Sequence, residues 1–150
     1  MLYSITKKKL ICILDFSNIA HENYDYKTAK INNYVLVKNE IKSIFPDAEI
    51  IPIADARTRH VIDNIYKYEG LRKRDRIIQA PAGETADYYI ISFAEKSDNS
   101  LIFSNDLFRD YKLKNELKKK LIHYKIIEGI VIFSSKLKKF VFNYKNKLVN

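Results

Sequence analysis

The run Leu10-Ile11-Cys12-Ile13-Leu14 is short, unbroken and apolar, and it stops on Asp15, followed by Phe16, Ser17 and Asn18. A second passage repeats the design: Leu101-Ile102-Phe103 ends on Ser104-Asn105-Asp106, with Arg109 and Asp110 close behind. Short continuous apolar runs are strands buried on both faces, the kind found in parallel sheets. Open parallel sheets gather ligands outside the carboxyl ends of their strands. Two such strands, each ending in Asp with Ser or Asn, predict two carboxylates meeting at one edge of a sheet.

The rest of the chain alternates. A strand at about 10–14 precedes a polar loop through His21-Glu22-Asn23-Tyr24-Asp25. Ile31, Val35, Val37 and Ile41 then recur near helical spacing over 26–45, until Pro46-Asp47 stops them. A second strand is expected over 48–54, with Asp55 just beyond. It leads to a helix over 57–69 that carries Val61, Ile62, Ile65 and Tyr66 on one stripe and ends at Gly70. Ile77-Ile78 reads as a short strand, and Thr85 or Glu84 opens a helix to about Lys96. After the strand at 101–103, Asn105 or Asp106 caps a helix over 107–120, and 124–133 reads as a β pair broken at Gly129. The Lys- and aromatic-rich tail, 134–150, has no assigned element. Strands alternating with helices of this length mean βαβ units. The expected class is α/β, a three-layer, Rossmann-like sandwich with a mainly parallel central sheet flanked by helices.

With 150 residues, 47% of them hydrophobic, the chain is expected to form one domain over 1–150 with a proper core. Pro and Gly number three each, which disfavours disordered and fibrous classes. The single Cys12 excludes an internal disulfide, and there is no Cys/His set at zinc-site spacing. Lys7–Lys9 precede too short an apolar stretch for a signal core or a membrane span, so a cytoplasmic setting is expected. The formal charge of +9 is one-sided: residues 101–150 hold 12 basic and 4 acidic side chains, whereas 51–100 hold 8 of each. Such asymmetry is the electrostatic footprint of a nucleic-acid binder, or else a solvated lysine-rich surface.

Asp15 is the leading chemical candidate. A carboxylate directly behind an apolar strand is partly desolvated and stays ionised only if paired or metal-bound. The ordinary alternative is a loop Asp bonding the Ser17 and Asn18 amides. Asn18 is either a turn residue or the amide that holds Asp15 or a water in place. Asp87 shares a helix face with Ile91 and Ala94, so it lies on the core-facing side near the helix start. First-turn acid bias accounts for its presence but not for its place on the apolar stripe. Asp106 and Asp110 fall four apart, although Asn105 and Asp106 equally suit a helix cap. Three or four carboxylates without a Cys/His set specify a hard, oxygen-ligated ion, Mg²⁺ or Mn²⁺, which also binds substrate phosphates. Ser17, Ser104, Arg57, Arg59, Arg109 and Lys112 are candidate substrate contacts, and Tyr24 or Tyr26 is placed to stack on a base. His21, His60 and His123 have no Ser or Cys partner at a recognisable spacing, and Gly70, Gly83 and Gly129 are too isolated to build a phosphate-cradling loop.

Leu14-Asp15-Phe16-Ser17-Asn18-Ile19-Ala20 resembles the first motif of the Regnase-type NYN branch of the PIN-like ribonucleases. Ser104-Asn105-Asp106-Leu107-Phe108-Arg109-Asp110-Tyr111 resembles its later Ser-Asn-Asp-x-(aromatic)-Arg-Asp motif, and Glu84-Thr85-Ala86-Asp87 falls where that family has acids at a helix start. The order and spacing hold over about 9–133, leaving a basic extension over 134–150. Phe16 stands where the family often has Gly, and Ala86 where it has the first of two adjacent acids. The resemblance implies a PIN-like sandwich and endonucleolytic cleavage of RNA by water activated on carboxylate-held Mg²⁺ or Mn²⁺. It implies catalytic roles for Asp15, Asn18, Asp87, Asp106 and Asp110, with the four Asp residues as metal ligands. The expected partner is RNA, in single-stranded or loop regions; a homodimer is compatible with these features and a membrane is not. Two alternatives of the same fold stay open: a catalytically weak or inactive RNA-binding module, and a DNA-directed or toxin-like PIN nuclease.

Overall fold

A computed structural model describes residues 8–149. The first apolar run forms strand β1 (Ile11–Asp15), which passes directly into the short helix α1 (Phe16–His21). Helix α2 (Ile31–Ile44) returns the chain to β2 (Glu49–Ala54). Two helices, α3 (Thr58–Val61) and α4 (Ile65–Arg74), lead to β3 (Ile78–Gln79), and α5 (Ala86–Lys96) leads to β4 (Ser100–Phe103). A 3₁₀ turn (Arg109–Tyr111), α6 (Asn115–Lys120) and β5 (Leu121–Ile122) follow. The chain closes with β6 (Tyr124–Ile127), β7 (Ile130–Phe133) and α7 (Ser135–Val149).

Five strands make one sheet in the order β3-β2-β1-β4-β5, and every pairing in it is parallel. β6 and β7 form a separate antiparallel hairpin. The period of two along β1 divides the interior into two layers. Cys12 and Leu14 face a core built with Phe16 and Ile19 of α1, Tyr34 and Val37 of α2, Tyr68 of α4, Tyr124 of β6 and Leu137 of α7. Ile13 points the other way, with Ile53 and Ile102, against Ile90 and Ala94 of α5 and Leu117 of α6. The expected α/β sandwich with a parallel sheet covered on both faces is the fold observed. Burial pushes the Cys12 thiol up to about 12, so this residue is an unreactive part of the core.

Several boundaries differ from expectation, each for a local reason. The expected helix over 107–120 does not start at Asp106. The Asp106 carboxylate accepts from the Phe108 N–H in a tight turn, and Phe108 (φ 50°) and Lys112 (φ 45°) are left-handed, so only Asn115–Lys120 winds as α-helix. The expected helix over 57–69 is two helices. Asn64 caps the second by accepting from the Lys67 N–H at 3.0 Å, and that helix runs straight through Gly70. The expected helix over 26–45 begins only at Ile31. α1 was hidden because Asp15 is both the last strand residue and the helix cap, accepting from the Asn18 N–H at 3.2 Å. The unassigned tail is helical, with Phe140 and Tyr144 packing around Phe45. Among the described residues, no helix is long and apolar enough to cross a membrane.

Candidate active site

Strand order reverses at β1: the chain moves outward through β2 and β3, then returns to the other side at β4. That switch point leaves a crevice over the carboxyl ends of β1 and β4. A cavity of about 430 Å³ lies there, and four carboxylates line it: Asp15, Asp55, Asp87 and Asp106. Each comes from a different element end. Asp15 closes β1, Asp55 follows β2, Asp87 sits in the first turn of α5, and Asp106 follows β4.

Asp15 is only 4% exposed. Its Oδ2 accepts from the Ser104 hydroxyl at 2.7 Å, so the ends of the two apolar strands touch through their polar terminators. A hydrogen bond to a charged group contributes roughly 1.5–3 kcal/mol, yet burial outweighs the Ser104 and Asn18 bonds and pushes the Asp15 carboxyl up to about 7. Burial first, then the neighbouring charges of Asp106, Asp55 and Asp110, raises Asp87 to about 6. Among the described residues, none of the four cavity carboxylates meets Lys, Arg or His at ion-pair distance.

A network of amides holds this arrangement. Asn18 Oδ1 accepts from the Asn105 N–H at 2.9 Å and from the Tyr124 hydroxyl at 2.7 Å. Burial, with Asp15 and Glu22 nearby, pushes the Tyr124 phenol up and keeps it a donor. Asn105 donates through Nδ2 to Glu22 at 3.0 Å and accepts from the Tyr124 N–H at 3.0 Å. On the opposite side Ser17 Oγ lies 2.6 Å from Thr58 Oγ1 and accepts from the Asp55 N–H at 2.8 Å. Asp55 Oδ1 in turn accepts from the Ala86 N–H at 2.7 Å, which fastens the start of α5 to the end of β2.

The expected site residues divide. Asp15, Asn18, Asp87, Asp106, Ser17 and Arg57 do line the cavity. Asp110 does not: it sits exposed on the 3₁₀ turn, where its charge reaches Asp87 but its side chain lies outside the cavity wall. Ser104 is fully buried and occupied with Asp15 and the Asp106 N–H, so it positions a carboxylate rather than meeting a substrate. Arg59 turns to Glu69, 3.8 Å away, while Arg109 and Lys112 line a neighbouring groove with Lys118 and Lys136. Phe16 is buried against Tyr34 and Tyr68, so the side chain standing in place of Gly leaves the cavity open. Asp55 is not among the expected site residues, although it carries the same signal as Asp15: an acid just beyond an apolar strand. Asn105 and Tyr124 carried no such signal, since their roles arise from contacts across 87 and 106 residues of chain.

The donor set suits a hard divalent cation: all oxygen, anionic and, among the described residues, without an ion-pair partner. Among the described residues, no three His, Cys, Asp or Glu side chains close into a set that holds an ion between them. Mg²⁺ tolerates that openness, because it is bound through one or two carboxylates with waters and substrate phosphates completing its shell. The residues fit such an ion.

No family model matches the chain, and no curated protein matches it in sequence. Among solved structures it is similar to Arabidopsis thaliana nuclear protein-only RNase P 2 (PRORP2), with TM-score 0.69 and 15% identity over 85% of this chain and 30% of that one. A crystal structure of nuclear proteinaceous RNase P 2 (PRORP2) from A. thaliana gives 0.65 and 15% over 83% and 29%. The PIN domain endonuclease Utp24 gives 0.41 and 13% over 83% and 90%. At these identities the likeness is one of fold, and it rests on the two RNase P structures. Nothing in it singles out the Regnase-type branch. The chain spans less than a third of the length of the RNase P chains it matches.

Proposed function

We propose that the chain is a metal-dependent endoribonuclease that hydrolyses RNA phosphodiester bonds at the carboxyl edge of its sheet. The observation that carries this reading is the set of four cavity carboxylates that, among the described residues, form no ion pair, in a chain of formal charge +9. The fold likeness to an RNase P supports RNA as the substrate class. Asp15, Asp87 and Asp106 would hold Mg²⁺ or Mn²⁺, with Asp55 in the place expected of Asp110. When bound, the ion supplies charge neutralisation at the phosphate and a water of lowered pKa. Ser104 aims the Asp15 carboxylate, and Asn18, held by Asn105 and Tyr124, keeps the β1–α1 corner in place beneath it. Arg57, exposed on the cavity rim, binds a flanking phosphate. A single domain over 1–150 and a cytoplasmic setting belong to this proposal on the sequence alone.

The test is Asp106→Asn, which keeps an acceptor oxygen for the Phe108 N–H at an exposed position and so preserves the turn. Mn²⁺-dependent cleavage of an oligoribonucleotide should fall roughly a hundredfold or more, with RNA affinity and thermal unfolding nearly unchanged. Undiminished cleavage by the mutant would sink the assignment. A second reading, an RNA-binding module without catalysis, draws on Ala86 and on the open ligand set. Equal RNA binding with and without chelator, and no cleavage by the parent protein, would favour it. Faster cleavage of the matching DNA strand would move the substrate class instead.

A further inference from the structure

The cavity holds a further side chain, Tyr26, that the chemistry above does not use. Tyr26 and Arg57 both line it, and the guanidinium carbon lies 5.3 Å from the centre of the Tyr26 ring. The ammonium of Lys27 lies 5.6 Å from the same ring. Tyr26 is 65% exposed, a large aromatic surface with a cation beside it at the mouth of a carboxylate cavity.

A lone exposed tyrosine needs no explanation, but this one is held out by a fastened loop. His21 Nδ1 lies 3.0 Å from the Asp25 carbonyl and 2.7 Å from that of Thr28. The Lys27 N–H donates to Asp25 Oδ1 at 2.9 Å, and the Thr28 N–H to the Asp25 carbonyl at 3.1 Å. Asn23 Nδ2 donates to the Ile126 carbonyl at 2.7 Å, tying the loop to β6. Arg57 stands on equally firm ground, because its neighbour Thr58 is buried and meets Ser17. Ordering the ring before binding leaves less conformational entropy to be lost when a partner arrives. Flat π surfaces and guanidinium planes both accept the face of a nucleobase, and only an unpaired base can offer its face.

We propose that Tyr26 and Arg57 form a stacking platform that takes one unpaired nucleobase beside the scissile phosphate, and that this platform makes the site select single-stranded or looped RNA. The inference rests on the reading of the cavity as an RNA-cleaving site. The acids that would hold the ion line the same cavity, so a base seated on Tyr26 brings its own backbone to the carboxylates. The fork of Arg57 can then stack and still reach the adjoining phosphate, which the ammonium of a lysine cannot do.

The experiment compares a single-stranded oligoribonucleotide, its blunt duplex, and a 2-aminopurine-labelled version of the single strand. Tyr26→Ala should raise KM for the single strand roughly tenfold, more than it changes kcat, and should erase the preference over duplex. Tyr26→Phe, which keeps the ring, should recover most of that preference, and Arg57→Lys should fall between. Binding is read separately in EDTA: 2-aminopurine fluorescence should quench on the parent protein and not on Tyr26→Ala. Quenching without any cleavage leaves the platform standing and removes the nuclease reading. Equal KM, equal strand preference and equal quenching in Tyr26→Ala overturn the platform whatever the cleavage result.

Discussion

Asp15 is a residue the fold buries at a cost. Its two hydrogen bonds do not offset the loss of water, and the carboxyl is pushed up to about 7 from the ordinary value near 4. A folded-state value above the unfolded one means that the protonated form favours folding. Stability is therefore greatest at low pH on this account and declines as pH rises through about 7. Asp15→Asn should raise the midpoint of thermal unfolding of the metal-free protein by a few degrees at pH 8. The gain should shrink at pH 5, where the parent carboxyl is already largely protonated. Mn²⁺ should stabilise the parent more at pH 8 than at pH 5 and leave the mutant nearly unmoved. A mutant less stable than its parent at pH 8 would show that the hydrogen bonds, not burial, decide the balance. Asn105 is the other decisive residue, since its amide joins Glu22 on the outer loop to Tyr124 on the hairpin.

At the scale of elements, the β6–β7 hairpin has a structural role that its small size conceals. It supplies Tyr124 to the site network and closes one core layer with Ile126. Its connection is a two-residue turn in which Glu128 (φ 48°) and Gly129 (φ 78°) are both left-handed, the twist that suits a tight hairpin. A Cβ at Gly129 would meet nothing within 4 Å, so replacement is penalised only through the backbone. Gly129→Ala should cost about 1 kcal/mol in denaturant unfolding, whereas Glu128→Asn, better suited to positive φ, should gain a few tenths. Equal stability of the Gly129→Ala variant would mean that the turn relaxes to another type. α5 is positioned by the same economy of contacts: the Ala86 N–H is claimed by Asp55, so the helix start that carries Asp87 is registered against β2.

At the scale of the molecule, the basic excess and the carboxylate cavity occupy different places. Lys118, Lys119, Lys136 and Lys139 line a groove between α6 and α7, which adjoins the one holding Arg109 and Lys112. This division suits a polyanion held along its backbone, with the acids reserved for one phosphate. Changing Lys112, Lys119 and Lys139 together to Gln should weaken RNA binding for every sequence alike. It should also reduce the slope of log affinity against log salt by roughly 2, as expected for three lost phosphate contacts on a single strand. Lys136 is left out of that test, because its ammonium donates to the Lys118 and Leu121 carbonyls and supports the fold. An unchanged slope would assign the lysines to solubility alone.

The linear chain was enough to recognise β1 and β4, the α/β class and three of the four cavity acids, because a buried strand leaves an unbroken apolar run and its polar terminator stands out against it. It was also enough to place Asp87, whose helical phase matches Ile90, Ile91 and Ala94 on the buried face. Only the tertiary structure decided that Asp55 lines the cavity and Asp110 does not. Whether an acid beyond a strand reaches the crevice depends on strand order, and whether Asp106 starts a helix depends on a turn that sinks Phe108 into the core. The division between Arg57 at the cavity and Arg59 beside Glu69 has the same origin. Periodicity reports which face of an element is buried, but it says nothing of what the neighbouring elements bring to that face.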